Sequence, residues 1–389
     1  MKLEKNQKLH LLMIAFILPF IFQSCSSLGD WELEPYEGEL TWEQITKKAA
    51  WDNRLDLEVA VLNDELYLAG GYNPGAFGTD PYYEDVWKSN NGKDWTNVTE
   101  NAPWQGRRGH SLLTFDDGSG DALYLIGGFS VNEATGERAY NNDVWRSTDG
   151  ENWTAIKQTT EVEMDSQNDW IARMHHKCVV ANHAGQNYIY LIGGHTMTEG
   201  IDGRYAIRYC NDVWRSTDGI TWENIGITDF GIRSEHAIAV SPDGTIYIQG
   251  GHHGVIFDAN DSTGTKPIPD YANVWQSTDG ATWTNSADST ILKTGFFNRT
   301  GHEMVFYGDK IWTLPGKTNS LNHYSFTNPN HYGTWTLDMN GNFEIDARGI
   351  TIDARHSYAA IVWQNRIWIL GGNTNRNGQD NDVWAGDLN

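Results

Sequence analysis

The chain has 389 residues, among them 40 glycines, 18 tryptophans and 17 tyrosines, too rich in glycine and aromatic rings for a helical bundle. Its 28 basic residues face 51 acidic ones, and the resulting net charge of −23 is spread along the sequence, which excludes duplex nucleic acid as a partner because such binding needs a basic surface. An apolar share of 39% excludes a disordered chain, and the composition points to a large all-β protein.

The N-terminus reads as an export signal. Lys2, Lys5 and Lys8 precede an apolar run over residues 11–22, which is too short to span a bilayer. Phe22-Gln23-Ser24-Cys25 then resembles a lipoprotein box, in which the cysteine takes the lipid and becomes the new N-terminus. The expectation is a signal peptide over 1–24, lipidation at Cys25, and an acidic flexible tether over 25–39 that holds the protein at the bacterial cell envelope, on either side of the outer membrane. Only Cys178 and Cys210 then remain, too few for a disulfide scaffold. They fall on strands separated by another strand, about 10 Å apart and beyond disulfide reach, so both are expected as free, largely buried thiols.

From residue 40 onward one unit recurs. A short apolar run ends in paired glycine at Gly70-Gly71, Gly127-Gly128, Gly193-Gly194, Gly250-Gly251 and Gly371-Gly372, with a degenerate copy at Pro315-Gly316. Each unit also carries an upstream arginine, Arg54, Arg107, Arg173, Arg233, Arg299 or Arg355. Three positions after the arginine stands His110, His176, His236 or His302, replaced by Leu57 in the first unit and by Tyr358 in the last. Downstream comes Asp-Val-Trp or a variant, and eight residues later a second aromatic, as in Trp145 and Trp153 around Ser147-Thr148-Asp149-Gly150. Such a period means radial or linear stacking of one supersecondary unit. Each unit reads as four short strands, with Asp-Gly supplying the positive φ of a hairpin turn and Gly-Gly a sharp exit from the second strand.

Six such sheets around an axis make a β-propeller. The last unit lacks its second aromatic strand, and Leu40-Thr41-Trp42-Glu43-Gln44-Ile45 matches what is missing. The prediction is a six-bladed propeller over 40–389, closed by an N-terminal strand.

These landmarks resemble the kelch-repeat propellers, which include the central domain of galactose oxidase and the bacterial N-acetylneuraminate epimerases. The resemblance covers about residues 40–389 and implies that the loops entering the first strand and leaving the second surround one mouth of the central channel. It therefore implies that Arg54, Arg107, Arg173, Arg233, Arg299 and Arg355 gather near that mouth as ligand-binding groups, although a repeated arginine also suits a scaffold pair. The four repeat histidines read as core residues.

Departures from the repeat carry more information. The residue before the repeat histidine is Asp56, Gly109, His175, Glu235, Gly301 or Ser357, and after Gly-Gly stand Tyr72, Phe129, His195, His252 with His253, and Asn373, with Lys317 in the degenerate unit. Aromatic and polar groups around a concave opening suit a sugar, whose CH faces stack and whose hydroxyls need directional partners. The leading expectation is a glycan or other extracellular ligand at an arginine-rich mouth, with His195, His252 and Lys317 among its contacts. One alternative is an enzyme acting on an acidic sugar, an epimerase, mutarotase or lyase with His175 and Glu235 as acid and base. Another is a protein-interaction platform. A metal held by His175, His195, His252 and His253 has less support, a copper–radical centre has no matching motif, and no cofactor is assigned. The fifth unit, with Lys317, His323, Tyr324, His331 and Tyr332, is either a drifted blade or a ligand loop.

Overall fold

The structure, a computed structural model, describes residues 40–75, 82–132, 135–162, 166–199, 205–252, 255–256, 266–267, 273–285, 299–317, 334–338, 343–346, 352–374 and 378–388. Cys25, the 25–39 tether and His253 lie outside the described residues, as do His323, Tyr324, His331 and Tyr332.

Strands of one unit pair antiparallel into one blade. Blade 1 is Glu58–Leu62, Glu65–Ala69, Val86–Ser89 and Thr96–Thr99. Blade 2 is Ser111–Asp116, Asp121–Val131, Arg138–Ser147 and Thr154–Lys157, and blade 3 is Lys177–His183, Gln186–Ile192, Asp212–Ser216 and Glu223–Ile227. Blade 4 is Ala237–Val240, Ile246–Gln249, Val274–Ser277 and Thr284–Asn285. Blade 5 is Met304–Tyr307, Lys310–Thr313, Thr334–Asp338 and Phe343–Asp346. Blade 6 takes Ala359–Trp363, Arg366–Thr374 and Gly378–Leu388 from the C-terminus and Leu40–Thr46 from the other end of the chain, with Leu40 opposite Leu388 and Gln44 opposite Trp384. The innermost strands touch in turn from blade 1 to blade 6, and that of blade 6 returns to blade 1, so the ring closes as the repeat predicts.

Hydrophobic contact lies mainly between blades. One cluster joins Leu62 and Tyr67 of blade 1 to Leu112, Leu123 and Trp153 of blade 2, and five more fill the remaining seams. The repeated Asp-Gly turn sets the aromatic of the outer strand into the seam with the preceding blade, as Trp153 of blade 2 packs with Leu62 and Tyr67 of blade 1. Ser147 Oγ accepts from Gly150 N at 2.8 Å, Asp149 Oδ1 accepts from Glu151 N and Asn152 N at 2.8 Å each, and Trp153 Nε1 donates to the Gly150 carbonyl at 2.9 Å. Burial opposes ionisation of Asp149, but these donors win and bring its carboxyl down to about 2.

Paired glycine has a second cause besides a sharp exit. A Cβ on Gly70, whose φ is +65°, would lie 2.5 Å from Cε1 of His110 in the next blade. The repeat histidine of one blade thus needs the first glycine of the blade before it. Blade 5 has Pro315 where that glycine would stand, and the facing residue of blade 6 is Tyr358, whose hydroxyl donates to the Pro315 carbonyl at 2.7 Å. The degenerate pair and the missing histidine are therefore one matched change. His110, His176, His236 and His302 are all buried, and burial beside a neighbouring arginine keeps each imidazole neutral, with His110 lowered to about 3.

Cys178 and Cys210 are free thiols, as expected, with Cys210 buried and Cys178 half-buried. Burial pushes Cys178 up to about 12 and Cys210 up to about 11, away from thiolate chemistry.

Candidate functional site at the channel mouth

The six repeat arginines do not line the mouth, which corrects the sequence expectation. All are buried, none more than 2% exposed. Arg54, Arg107, Arg173 and Arg355 form two-pronged pairs with Asp85, Asp143, Asp212 and Asp382 of their own blades, and each also donates to the carbonyl of the first glycine of its pair. Blades 4 and 5 carry Asn273 and Gly333 at the aspartate position. There Arg233 donates to the carbonyls of Gly250 and Phe230, and Arg299 to that of Leu314. Burial lowers Arg299 to about 10. The guanidinium forks tie the second strand to the third and hold the mouth in shape.

The residue after each arginine pairs with the residue after Gly-Gly, as in Arg108 with Phe129, Met174 with His195 and Ser234 with His252. The next residue in each unit then turns onto a collar around the axis. Asp56, Gly109, His175, Glu235, Gly301 and Ser357 all have φ between 52° and 60°, in the left-handed region. Their backbones bond from blade to blade: His175 N to Gly109 O, Glu235 N to His175 O, Gly301 N to Glu235 O, Ser357 N to Gly301 O and Asp56 N to Ser357 O. Four of the six are not glycine, and holding such residues in this region costs about 1 kcal/mol or more each, a strain that concentrates at functional sites.

His175 lies across this collar. A Cβ on Gly109 would meet its ring at 2.6 Å, so the bare glycine of blade 2 lets the imidazole reach Asp56 of blade 1. Nε2 of His175 is 3.2 Å from Asp56 Oδ2 and Nδ1 is 3.4 Å from Glu235 Oε1. Glu235 also accepts from Thr300 Oγ1 at 2.7 Å and lies 3.5 Å from His252 Nε2. Burial opposes charge on all three, but mutual attraction prevails: Asp56 and Glu235 stay below the usual carboxylate range, and His175 rises above the usual imidazole value. The His175 ring is held between two carboxylates that favour its protonated form, at the centre of the mouth. His175 and Glu235, paired by the sequence reading, are in contact.

Arg108 is the cation that sequence reasoning missed. Its Nη1 is 3.7 Å from Asp56, its guanidinium sits 4.5 Å over the ring of Tyr72, and its side chain remains 28% exposed. The signal was the doublet Arg107-Arg108: adjacent strand residues point to opposite sides, so only one could enter the scaffold pair.

Outside the collar runs an arc of rings. Tyr72 and Tyr82 lie 4.8 Å apart, Phe129 and Tyr140 5.1 Å, and His195 and Tyr209 5.6 Å, each pair formed across the chain segments that leave and re-enter a blade. Contacts of 6.0 Å between Tyr82 and Phe129, 6.2 Å between Tyr140 and His195, and 5.4 Å between Tyr209 and His252 join the pairs into one belt over blades 1 to 4. His195 and His252 thus belong to this belt. Tyr82, Tyr140 and Tyr209 were missed, yet each stands five residues before the tryptophan of Asp-Val-Trp. His195 is lowered to about 3 by burial and by His175, and its Nδ1 lies 2.8 Å from Ser234 Oγ. Among the described residues, blades 5 and 6 present exposed Lys317 and the pair Asn373 and Gln379 here.

Below the mouth, Lys177 of blade 3 reaches across the channel to Glu58 of blade 1 at 3.2 Å and Glu303 of blade 5 at 2.8 Å. Burial outweighs Lys177 and raises both carboxyls, Glu303 to about 7. Among the described residues, no cluster of three or more His, Cys, Asp or Glu is arranged to hold a metal ion.

No known sequence family and no curated protein matches this chain. Among solved structures, that of YjhT aligns with 87% of this chain and 96% of its own, at a TM-score of 0.59 and 16% identity. At that identity the likeness speaks for the fold alone. Together with the closed ring of six antiparallel blades, it shows that the chain has the fold of a six-bladed, kelch-type β-propeller.

Proposed function

We propose that the mouth binds a saccharide carrying a carboxylate, and that the protein displays this site at the cell envelope. The observation that carries the reading is the placement of two concentric rows on blades 1 to 4. The inner row sets Arg108 and the His175 ring beside Asp56 and Glu235, and the outer row is the ring arc. Rings suit the CH face of a sugar, the carboxylates accept from hydroxyls, and Arg108 offers donors to an acidic substituent.

Calorimetric titration of the propeller with galacturonate, sialic acid and galactose tests this. Arg108→Ala and His175→Ala are each expected to weaken acidic-sugar binding about tenfold, the scale of one charged hydrogen bond. Absence of heat and of any thermal shift with all three sugars would leave the protein-interaction platform as the better reading.

A second reading rests on the strained backbone. His175 as acid and Glu235 as base flank one space on left-handed, non-glycine residues, an arrangement able to protonate one atom of a bound sugar and deprotonate another. Polarimetry on the same sugars decides it: an accelerated change of rotation that persists in the double variant His175→Ala, Glu235→Gln would remove this mechanism.

The envelope address rests on Lys2, Lys5 and Lys8, the apolar run and Cys25. Leu40 begins the closing strand beside Leu388, on the face opposite the mouth, a suitable entry for a tether. Cys25→Ser is expected to move the protein from the membrane pellet to the soluble fraction, and unchanged pelleting would rule out the lipid anchor.

A further inference from the structure

We infer that the mouth takes an oligosaccharide laid along the arc rather than a single sugar, an inference that rests on the saccharide reading above. The rings succeed one another from Tyr72 to His252 with no centroid gap above 6.2 Å, so the apolar surface is one continuous strip over four blades. A single pyranose covers one or two of these rings. The remainder would stay as a half-exposed apolar strip, which soluble proteins rarely leave without a partner.

The strip also has a direction. Arg108 stacks on Tyr72 at one end, and Glu235 beside His252 marks the other. Between them the charged row follows the ring row on its axial side, so each unit of a chain could lay a CH face outward on a ring and turn hydroxyls inward to Asp56, His175 or Glu235. Among the described residues, blades 5 and 6 carry Lys317, Asn373 and Gln379 at the corresponding positions. A compact ligand sitting over the axis would use only part of this aromatic arc.

The test is a titration of the propeller with galacturonate and its di-, tri- and tetrasaccharides, alongside an acidic tetrapeptide. Affinity is expected to rise at least tenfold from the monosaccharide to the tetrasaccharide. In Phe129→Ala and Tyr140→Ala, at mid-arc, the tetrasaccharide-to-monosaccharide affinity ratio is expected to fall about tenfold at unchanged melting temperature. Equal affinity along the series, or an unchanged ratio in both variants, overturns the oligosaccharide inference while the saccharide reading stands. Binding of the tetrapeptide with no response to any sugar overturns both.

Discussion

Replacing Asp143 by alanine is expected to lower stability by about 4 kcal/mol, because it strands the Arg107 guanidinium in the interior. Both oxygens of Asp143 are engaged by Arg107, at 2.8 and 3.0 Å, and Oδ2 also accepts from Trp145 Nε1 at 2.8 Å. The two side chains are 2% and 8% exposed, so water cannot take over these donors without the blade opening. A shift of the urea midpoint measures the loss. The double variant Asp143→Leu, Arg107→Met should recover most of it, since removing both charges removes the desolvation penalty along with the attraction. A loss under about 1 kcal/mol in the single variant would mean that the mouth does not depend on these pairs.

Acidification below pH 6.5 is expected to destabilise the propeller steeply. His110, His176, His236, His302 and His195 all have folded-state values depressed below the free imidazole, so the unfolded chain binds their protons more readily. Their contribution to stability is fully present above about pH 6.5 and falls as pH drops through that value. Glu303 and Glu58 act with the opposite sign, because raised carboxyls are best accommodated protonated, and the Glu303 contribution is lost as pH rises toward 7. His175, raised by its carboxylates, likewise favours the folded state at lower pH. The imidazoles are the larger group, and near pH 5.5 unfolding should take up about three protons, a slope of about 4 kcal/mol per pH unit. Urea midpoints at pH 5, 5.5, 6 and 7 test this. A midpoint that is flat or rises on acidification would show that the core imidazoles are accessible to protons in the folded state.

The fold was legible because the repeat is written several times over. Gly-Gly, the arginine, the repeat histidine and the two aromatics each mark a contact that recurs at a blade, so the period survives the loss of any one copy. Even closure could be read, since Leu40 to Ile45 matches the strand that the last unit lacks. The site was half legible. Positions where the repeat does not dictate the residue, such as His175 and Glu235, do meet at the axis. The arginines misled because a side chain recurring beside a mouth has the same sequence signature whether it faces the channel or turns into the blade.

By itself the sequence determined the number of blades, the strand that closes them and the positions free to vary. Those depend on local pattern and on contacts repeated at a fixed spacing. Only the tertiary structure decided that Arg107 is buried while Arg108 faces the mouth, that Gly109 makes room for His175, and that rings from three hairpins and His252 join in one arc. The reason is geometric. Groups far apart in the chain come within 4 Å at the axis, as His175 does with Glu235 and, 119 residues away, with Asp56, and no one-dimensional spacing records which of them point at one another.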